Sequence, residues 1–453
     1  MIMELESIKR VYFVGIGGIG MSALARYFHK RGCVVFGYDR TSTELTSQLI
    51  SEGIAVSFED SPLSLSTDFR KTDSSVLIVY TPAIPSDSEL LNYFRCNEFI
   101  LLKRSEVLGV ISRGMFTVAV AGTHGKTTTS TLIAHILKHS GYDCTAFLGG
   151  ISSNYNTNVL FGNNQTLVVE ADEYDRSFLR LHPDIAVITS IDPDHLDIYG
   201  SADSVVESFR AFAGQLKKNG KLICRQGLEV QGNISYSASS DADAQAKNVR
   251  VEHGAFVFDF DNGATVIAGI RMPLPGLHNI ENAVGAIQAA LLLSVDPEKI
   301  RSAVECFGGV KRRFEYVVKS DSMVYIDDYA HHPEELRACI SAARRLYPEK
   351  RLTMIFQPHL YSRTRDFAKE FAEVLSMTDE LVLLDIYPAR ELPIPGVSSE
   401  MILERISGTN KELCTKGRLL ECMKTRRPEL LITAGAGDID TLVEPLKKLY
   451  GNA

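Results

Sequence analysis

The sequence predicts an α/β protein in which each domain contains a mainly parallel sheet covered by helices. Short apolar runs alternate with segments of helical periodicity along almost the whole chain, and glycine-rich turns follow several of these runs. Since a domain usually has on the order of 150 residues, the 453 residues suggest about three domains. The sequence has no fixed-period repeat and no low-complexity tract, which excludes solenoid architectures.

Composition and charge exclude several classes of protein. The chain has 48 Lys plus Arg against 56 Asp plus Glu, a net charge of −8, which argues against a nucleic-acid-binding surface. No run of about 18 uncharged apolar residues occurs, so we expect no membrane insertion. The first residues are acidic where a signal peptide is basic, so we expect a cytoplasmic protein. Eight cysteines without a Cys-x-x-Cys pair predict neither a disulfide framework nor a zinc site.

The first block opens with a strand at 11–14, a helix from about Met21 to Lys30 and a second strand at 34–39. Gly15-Ile-Gly17-Gly18-Ile-Gly20 lies between the first strand and the helix, where backbone can approach a pyrophosphate closely. Asp39 closes the second strand, which is the usual dinucleotide-binding spacing. From these residues alone, a nicotinamide-dependent oxidoreductase, another nucleotide ligand and a glycine turn needed only for packing all remain open.

The second block begins with an apolar strand at 116–121. Gly122-Thr123-His124-Gly125-Lys126-Thr127-Thr128 follows it and opens a helix, which places backbone N–H groups, an ammonium and a hydroxyl around one point. We assign Lys126 to the outer phosphates of a nucleotide and Thr127 to Mg²⁺. The longer form of this phosphate loop has Gly at position 120, where this chain has Val, so a chance strand-to-helix turn is the alternative.

Carboxylates follow two later strands of this block. Glu170, Asp172 and Glu173 end one strand, and Glu170 is the best candidate for a metal ligand. The segment Asp192-Pro-Asp-His195-Leu-Asp follows the next strand and offers His195 as a second metal ligand or a phosphate contact. Ligands of α/β sheets bind beyond the carboxyl ends of strands, which favours a site over solvated helix caps.

The remaining sequence predicts an antiparallel insertion, a long helix and a third α/β block. Short β-like pieces with a turn at Asp261-Asn262-Gly263 occupy 221–270, and a helix rich in Ala and Leu follows from about Asn279 to Leu293. In the third block, Asp327 to Pro333 and Gln357 to Arg365 each follow a strand and bring histidines and arginines together. Ordinary capping with surface ion pairs is the alternative for each segment.

Taken together, these segments resemble the Mur ligase family. The matching segments, in the family's order, are Gly15–Ser22, Gly122–Thr128, Glu170–Phe178, Asp194–Asp197, Gly276–Asn279 with Asn282–Ala283, Arg312–Phe314, Asp327–Pro333, Phe356–Thr364 and Gly435–Asp438. One such segment would be weak support for a family. Nine in one order across nearly the whole chain are hard to produce by chance.

The resemblance implies three domains. Residues 1–113 would form a Rossmann-like domain for a UDP-sugar, 114–311 a central P-loop ATPase, and 312–453 a Rossmann-like domain that helps hold the amino acid. The first glycine loop would then hold the UDP diphosphate and not NAD. Closure of the third domain would bring Arg313 and Asp328 to the nucleotide.

The reaction implied is that of the alanine-adding branch of the family. ATP phosphorylates the lactyl carboxylate of UDP-N-acetylmuramate, the amine of L-alanine attacks the acyl phosphate, and an amide, ADP and phosphate result, in peptidoglycan precursor synthesis. The implied metal is Mg²⁺, with Mn²⁺ as the alternative. We expect a monomer or weak homodimer.

The resemblance also implies roles for individual residues. The catalytic set is Lys126, His195, His331, His359 and Arg363. The ATP-binding set is Gly122, Thr123, His124, Gly125, Lys126, Thr127, Thr128, Asn279, Asn282, Arg313 and Asp328. The UDP-sugar set is Gly15, Gly17, Gly18, Gly20, Asp39 and Tyr329, and Tyr329 also belongs near the alanine. The metal ligands are Thr127, Glu170 and His195.

Two features separate this chain from other members of the family. Leu360 stands where many members have Arg, so one charge of that pocket is missing or comes from elsewhere. The segment Ser208–Phe212 has no Lys that could be carbamylated to bridge metals, as in the alanine-adding branch. A ligase that recycles a preformed tripeptide is the rival within the family, and a non-catalytic nucleotide-binding regulator is the rival outside it.

Overall fold

The computed structural model describes residues 5–192, 196–252, 255–389 and 391–451. They contain sheets of five, ten and six strands, each with helices, which confirms the predicted α/β class. The chain forms two compact units: the first two sheets belong to one unit, made mainly of residues up to 308, and the third sheet belongs to the unit that follows. Among the described residues, no helix has both the length and the apolar character needed to cross a membrane.

The first sheet has the strand order β3-β2-β1-β4-β5, and all its pairs are parallel. Its elements are β1 (Arg10–Val14), α1 (Ile19–Lys30), β2 (Val34–Tyr38), α2 (Glu44–Ser51), β3 (Ala55–Ser57), β4 (Val76–Tyr80), α3 (Glu89–Cys96), β5 (Ile100–Lys103) and α4 (Arg104–Gly114). After β1 the chain forms β2 and β3 on one side of β1, and it then crosses to form β4 and β5 on the other side. The glycine loop after β1 therefore lies at the switch point of the sheet, where α/β proteins bind ligands.

The central sheet has the order β15-β14-β13-β12-β11-β10-β6-β9-β7-β8. Its elements are β6 (Phe116–Ala121), α5 (Lys126–Ser140), β7 (Thr145–Ser152), β8 (Thr157–Leu160), β9 (Thr166–Ala171), β10 (Ile185–Ile188), α6 (Leu196–Tyr199), α7 (Ala202–Ala213), β11 (Lys221–Arg225), β12 (Ile234–Ser237), β13 (Ala244–Glu252), β14 (Ala255–Asp261), β15 (Val266–Met272), α8 (Leu277–Leu292) and α9 (Pro297–Glu305). The apolar strand β6 pairs in parallel with β9 and β10, so the loops after all three strands emerge at one edge.

The antiparallel pairing predicted for residues 221–270 is found at β14 and β15, which pair around the turn at Asn262 and Gly263. The strands β11, β12 and β13 instead extend the central sheet in parallel. The sequence did not predict this difference, because short strands separated by turn residues look alike whether the chain doubles back or crosses over.

The third sheet has the order β16-β17-β21-β18-β19-β20, parallel except for β16 with β17. Its elements are β16 (Glu315–Lys319), β17 (Val324–Asp328), α10 (Pro333–Leu346), β18 (Leu352–Phe356), α11 (Tyr361–Asp366), α12 (Ala368–Leu375), β19 (Glu380–Leu384), α13 (Glu400–Leu403), β20 (Asn410–Cys414), α14 (Leu419–Lys424), β21 (Leu430–Ala434) and α15 (Val443–Tyr450). Pro333 is the first residue of α10, a position that suits proline because its missing N–H needs no partner there. Separate apolar clusters cover the two faces of the sheet.

Buried hydrogen bonds fix α1 of the first sheet to β8 of the central sheet. The Asn158 amide donates to the Ile19 carbonyl at 2.6 Å and to Ser22 Oγ at 2.9 Å, and its oxygen accepts from Arg26 at 2.6 Å. Asn158 is fully buried, and Arg26 is nearly so. Arg26 also forms an ion pair with Glu52 at 2.7 Å. The amide of Asn158 therefore satisfies a buried cation and two groups of the first helical turn at once.

We expect Asn158→Ala to lower the free energy of unfolding by about 2–3 kcal/mol, since the buried Arg26 and the Ile19 carbonyl would each lose a partner. Urea unfolding followed by circular dichroism measures this change. The matched control is Asn163→Ala, because Asn163 is exposed and its side chain lies outside this network. A loss no larger than that of the control would show that the network adds no stability.

Candidate active site

The first glycine loop is held in a tight turn between β1 and α1. Gly15 has φ +91°, a conformation that favours glycine, and the amide of Gly17 donates to Asp39 Oδ2 at 2.7 Å. A Cβ on Gly17 would lie 2.8 Å from the same oxygen. The second oxygen of Asp39 accepts from the amide of Thr41 at 3.1 Å. Asp39 thus holds the backbone of the loop that leads into α1.

A cleft of about 310 Å³ lies between this loop and the end of β9. Gly18 and Gly20 line one side, Glu170 and Asp172 line the other, and Arg104 lies between them. The Arg104 guanidinium donates to Asp172 at 3.1 Å. A Cβ on Gly20 would lie 2.8 Å from the same guanidinium. The structure therefore joins the first glycine loop to the acidic segment through one arginine.

Arg104 is a candidate functional residue that the sequence analysis missed. No recognised segment surrounds it in the sequence, although it directly follows β5 and therefore lies at the carboxyl edge of the first sheet. That position was the only local signal for it. Its guanidinium is suited to bind a phosphate or carboxylate beside the N-terminus of α1.

The second glycine loop joins β6 to α5 and depends on both of its glycines. Gly122 has φ +145° and Gly125 has φ +80°. A Cβ on Gly122 would overlap Thr189 Oγ1, and one on Gly125 would lie 2.7 Å from Asn282 Oδ1. The first turn of α5 follows directly, with Thr127 and Thr128 buried. The loop therefore presents a helix N-terminus, which favours bound anions.

Two hydroxyl residues after β10 support this loop, and the sequence analysis missed both. Ser190 Oγ accepts from the His124 amide at 2.7 Å and lies 2.8 Å from Thr123 Oγ1. Thr189 Oγ1 donates to the Ala121 carbonyl at 3.1 Å. Nothing in the local sequence distinguishes them from ordinary polar residues at a strand end, because their partners are more than 60 residues away.

Lys126 is the central charge of the loop. Its largely buried ammonium donates to the Gly122 carbonyl at 2.6 Å and forms an ion pair with Glu173 at 2.7 Å. Burial disfavours this charge, but the carboxylates of Glu173 and Glu170 outweigh burial and raise the pKa of Lys126 above its usual value. The lysine is therefore protonated at neutral pH, in a position where it can meet phosphate oxygens.

Glu170 fits the role of a metal ligand. Its Oε2 atom is buried and has no hydrogen-bond partner among the described residues. Gly149 lies beside the carboxylate, where any Cβ would overlap it. A buried carboxylate oxygen without a partner is costly, and carboxylates are the ligands that Mg²⁺ prefers. His195 and Asp194, also predicted near this position, lie outside the described residues.

The two asparagines predicted to contact the nucleotide lie at the start of α8, and both are buried. Asn282 lies directly against Gly125 of the loop. The helix α8 packs along α5, so its first turns are held beside the loop. Asn279 lies one turn earlier on the same helix.

The structure brings together most of the residues predicted in the third block. The rings of Tyr329 and His331 are 5.2 Å apart, and those of His331 and His359 are 5.7 Å apart. Arg363 Nη1 lies 3.4 Å from His359 Nδ1, and the Arg313 guanidinium lies 5.8 Å from the Tyr329 ring. Tyr329 and His331 follow β17, His359 and Arg363 follow β18, and Arg313 precedes β16, so one strand edge of the second unit carries a cluster of cationic and aromatic groups.

Leu360, the position where many relatives have Arg, begins the helix α11 with φ +72°. Its amide donates to the Tyr387 carbonyl at 2.9 Å. Neighbouring His359 stacks on the Tyr387 ring at 5.8 Å. The backbone at Leu360 is thus fixed beside the histidine cluster, while the half-buried leucine side chain adds no charge to it.

Asp328 ends β17, and backbone groups occupy both of its oxygens. It accepts from the amides of Phe314 at 2.8 Å and Ala330 at 2.7 Å. Burial raises the pKa of Asp328 from 3.8 to about 6, although these hydrogen bonds oppose the shift. The neighbouring Asp327 forms an ion pair with Arg312 at 3.1 Å.

Because the pKa of Asp328 is higher in the folded than in the unfolded chain, its ionisation favours unfolding. Its contribution to the free energy of unfolding should fall by about 3 kcal/mol as pH rises from about 4 to about 6.5. We expect the Asp328→Asn variant to lack this pH dependence. The free energy of unfolding of the wild type minus that of the variant should therefore decrease across that range. Urea unfolding at several pH values measures it, with the exposed Asp321→Asn as control. A difference that does not change with pH would contradict the shift.

Comparison with protein families assigns three consecutive parts of the chain. The Mur ligase family catalytic domain matches residues 10–115, the Mur ligase middle domain matches 120–290, and the Mur ligase glutamate ligase domain matches 312–439. The matches follow the three sheets in order. Members of the family use ATP.

Individual relatives agree with this assignment. The chain is 50% identical to the UDP-N-acetylmuramate–L-alanine ligase of Cytophaga hutchinsonii, with all of both chains covered. It is 48% identical to that of Christiangramia forsetii, with 98% of each covered. The crystal structure of the UDP-N-acetylmuramate–alanine ligase from Thermotoga maritima superposes with a TM-score of 0.84 at 27% identity, covering 98% of this chain and 99% of that one. By sequence and by structure, the chain belongs to the Mur ligase family.

Proposed function

We propose that this protein joins L-alanine to the lactyl carboxylate of UDP-N-acetylmuramate, with hydrolysis of ATP to ADP and phosphate, in peptidoglycan precursor synthesis. Its three domains would be residues 1–113, 114–311 and 312–453. The observation that carries the proposal is the identity of about 50%, along the entire chain, with ligases named for this reaction. The geometry around Lys126 and the first glycine loop supports it chemically.

The first glycine loop binds the diphosphate of the sugar nucleotide. Gly15, Gly17, Gly18 and Gly20 allow the phosphates to approach the N-terminus of α1, whose partial positive charge favours anions. Asp39 keeps this loop in shape through the amide of Gly17. Arg104 adds a full positive charge at the same place. This role involves no hydride transfer, so it does not require a nicotinamide cofactor.

The second glycine loop binds ATP. The amides of Gly125 to Thr128, at the start of α5, surround the phosphates, and Lys126 neutralises charge on the oxygens that are transferred. Asn279 and Asn282 hold the adenine side of the nucleotide. Arg313 and Asp328 belong to the nucleotide-binding set as well, Arg313 as a cation and Asp328 through the backbone that it organises.

Glu170 and Thr127 hold Mg²⁺, together with His195, and Mn²⁺ can replace it. When bound, the metal neutralises negative charge on the phosphate oxygens. The unpartnered Oε2 atom of Glu170 supports this role, because it has a free lone pair in a buried position. The carboxylate of Glu170 also helps raise the pKa of Lys126. The protein therefore supplies one negative and one positive group at this end of the sheet.

The chemistry proceeds in two steps. A carboxylate oxygen of the sugar lactyl group attacks the γ-phosphorus of ATP, and ADP leaves. The nitrogen of L-alanine then attacks the carbonyl carbon of the acyl phosphate, phosphate leaves, and the amine gives up a proton. Phosphorylation is needed because a carboxylate is a poor acyl donor without a leaving group.

His331 is suited to take the amine proton. Burial lowers the pKa of His331, so its imidazole is neutral near pH 7 and can act as a base. Its Nδ1 atom lies 2.9 Å from the Tyr329 carbonyl and therefore carries the hydrogen, which leaves Nε2 to accept a proton. His359 and Arg363 lie beside it and orient the reacting carboxyl and phosphate groups.

The proposal is tested by phosphate release from purified protein with Mg²⁺-ATP and UDP-N-acetylmuramate, adding L-alanine, glycine, L-serine, D-glutamate or the murein tripeptide singly. We expect release to require the sugar nucleotide and to be fastest with L-alanine. Release only with the tripeptide would assign the chain to the recycling branch. NADH turnover would instead indicate an oxidoreductase. ATP binding without coupled phosphate release would indicate a regulator.

We expect Arg104→Met to raise the KM for UDP-N-acetylmuramate by about 10–100-fold, because a charge-assisted hydrogen bond contributes about 1.5–3 kcal/mol. The KM for ATP should change little. Steady-state kinetics with each substrate varied in turn separates these effects. Arg113→Met is the matched control, because Arg113 is exposed in the last turn of the same helix. Equal changes in both KM values, or none, would remove Arg104 from the sugar-nucleotide site.

A further inference from the structure

A cluster of three metal-ligating side chains lies on the first unit, away from the residues assigned to the reaction. His135 and His139 are one turn apart on α5, and Cys306 follows α9 directly. The Cys306 sulfur lies 3.5 Å from His135 Nε2 and 3.5 Å from His139 Nδ1. All three ligand atoms lie within 4.8 Å of one another. Cys306 and His139 are exposed, so the cluster lies at the protein surface.

These distances match tetrahedral coordination. With a zinc–sulfur bond of about 2.3 Å and a zinc–nitrogen bond of about 2.0–2.1 Å, a tetrahedral angle places sulfur and nitrogen about 3.5 Å apart. Both sulfur–nitrogen distances in the cluster already have this value. Two of the three ligand-to-ligand distances therefore already fit a tetrahedral cation, and the two nitrogens lie within 4.8 Å of each other.

In each imidazole ring, a hydroxyl group contacts the nitrogen that faces away from Cys306. His135 Nδ1 lies 3.0 Å from the Tyr155 hydroxyl, and His139 Nε2 lies 3.1 Å from Ser302 Oγ. In each ring the nitrogen that faces away from the cluster has a partner that can accept its hydrogen. Such contacts fix the tautomer and the ring orientation of metal-binding histidines. In the metal-free protein His135 Nε2 donates to the Ala303 carbonyl, so this ring would move its hydrogen to Nδ1, where the Tyr155 hydroxyl can accept it, when Nε2 binds a cation.

A backbone carbonyl also faces the cluster. His135 Nε2 and the Cys306 sulfur both lie near the Ala303 carbonyl, at 3.0 and 3.5 Å. On binding, the thiol of Cys306 would lose its proton to solvent as the sulfur–metal bond forms. The Ala303 carbonyl would then be available to a water molecule on the metal.

We propose that His135, His139 and Cys306 form a binding site for a borderline-soft divalent cation of the Zn²⁺ class, with the fourth position open to water. Two nitrogens and one sulfur select such a cation against Mg²⁺, which prefers oxygen. The site is thereby chemically distinct from the carboxylate and hydroxyl groups of Glu170 and Thr127. It would tie the C-terminal half of α5 to the end of α9.

A second cluster, Glu412 with Cys414 and Cys422 in the other unit, provides an internal comparison. The Arg426 guanidinium donates to Glu412 Oε2 at 2.7 Å, and Cys422 donates to the other oxygen of the same carboxylate. A fixed cation already neutralises the carboxylate there. We therefore expect the second cluster to bind no metal, which makes Cys422 a useful control.

The experiment titrates reduced full-length protein with Co²⁺ alone, followed by competition with Zn²⁺. We expect one equivalent of Co²⁺ to give a thiolate-to-metal charge-transfer band and tetrahedral visible bands, both abolished by Zn²⁺. Cys306→Ser and His139→Gln should lose the charge-transfer band or its tetrahedral pattern. Cys422→Ser, Cys96→Ser and His29→Gln should keep both, because they remove the same residue types elsewhere on the molecule.

Two further measurements separate ligation from simple misfolding. Zn²⁺ should raise the thermal unfolding midpoint of the wild type but not of Cys306→Ser, whose midpoint without metal should match the wild type. Ser302→Ala should keep the cobalt spectrum and weaken Zn²⁺ binding by about 10–100-fold, as expected when a group behind a ligand is removed. A thiolate band that persists in Cys306→Ser, or no thiolate band in the wild type, would overturn the proposal.

Discussion

The largely buried charge of Lys126 is the constraint on which the central part of the molecule depends. An ammonium removed from water must have partners, and here the Gly122 carbonyl and Glu173 provide them. Gly122 adopts φ +145°, and a Cβ there would overlap Thr189 Oγ1, so only glycine fits at this position of the loop. The loop is therefore shaped before any nucleotide arrives, and phosphate oxygens would replace partners that the ammonium already has.

Parallel sheets explain why the candidate residues meet. In each sheet the loops that follow neighbouring strands emerge at one edge, so residues far apart in sequence become neighbours. In the central sheet, Ser190 after β10 supports His124 after β6. Arg104, at the carboxyl end of β5 in the first sheet, reaches Asp172 at the carboxyl end of β9 in the central sheet. The same rule gathers His331 and His359 after β17 and β18. The parallel strands determine which loops share an edge, and the side chains on those loops determine the chemistry.

The sequence predicted features that depend on neighbouring residues and missed those that depend on distant ones. The glycine loops and the helix start at Pro333 were predictable because backbone conformation is a local property. Arg104 and Ser190 were not, since their importance comes from partners on other strands. The parallel direction of β11 to β13 was missed for the same reason. The absence of a Cys-x-x-Cys pair likewise gave no sign of the cluster at Cys306, which is 167 residues from His139.

The helix α5 carries two chemically different ends. Its first turn contains Lys126 and Thr127 and faces anions, whereas His135 and His139 lie two to three turns later. With a rise of about 1.5 Å per residue, roughly 12 Å separates Thr127 from His135 along the axis. A cation at the histidines would therefore not touch the phosphates. The cation would instead act on the nucleotide loop indirectly. By fixing the C-terminal half of α5 to α9, it would limit how far the first turn of α5 can move.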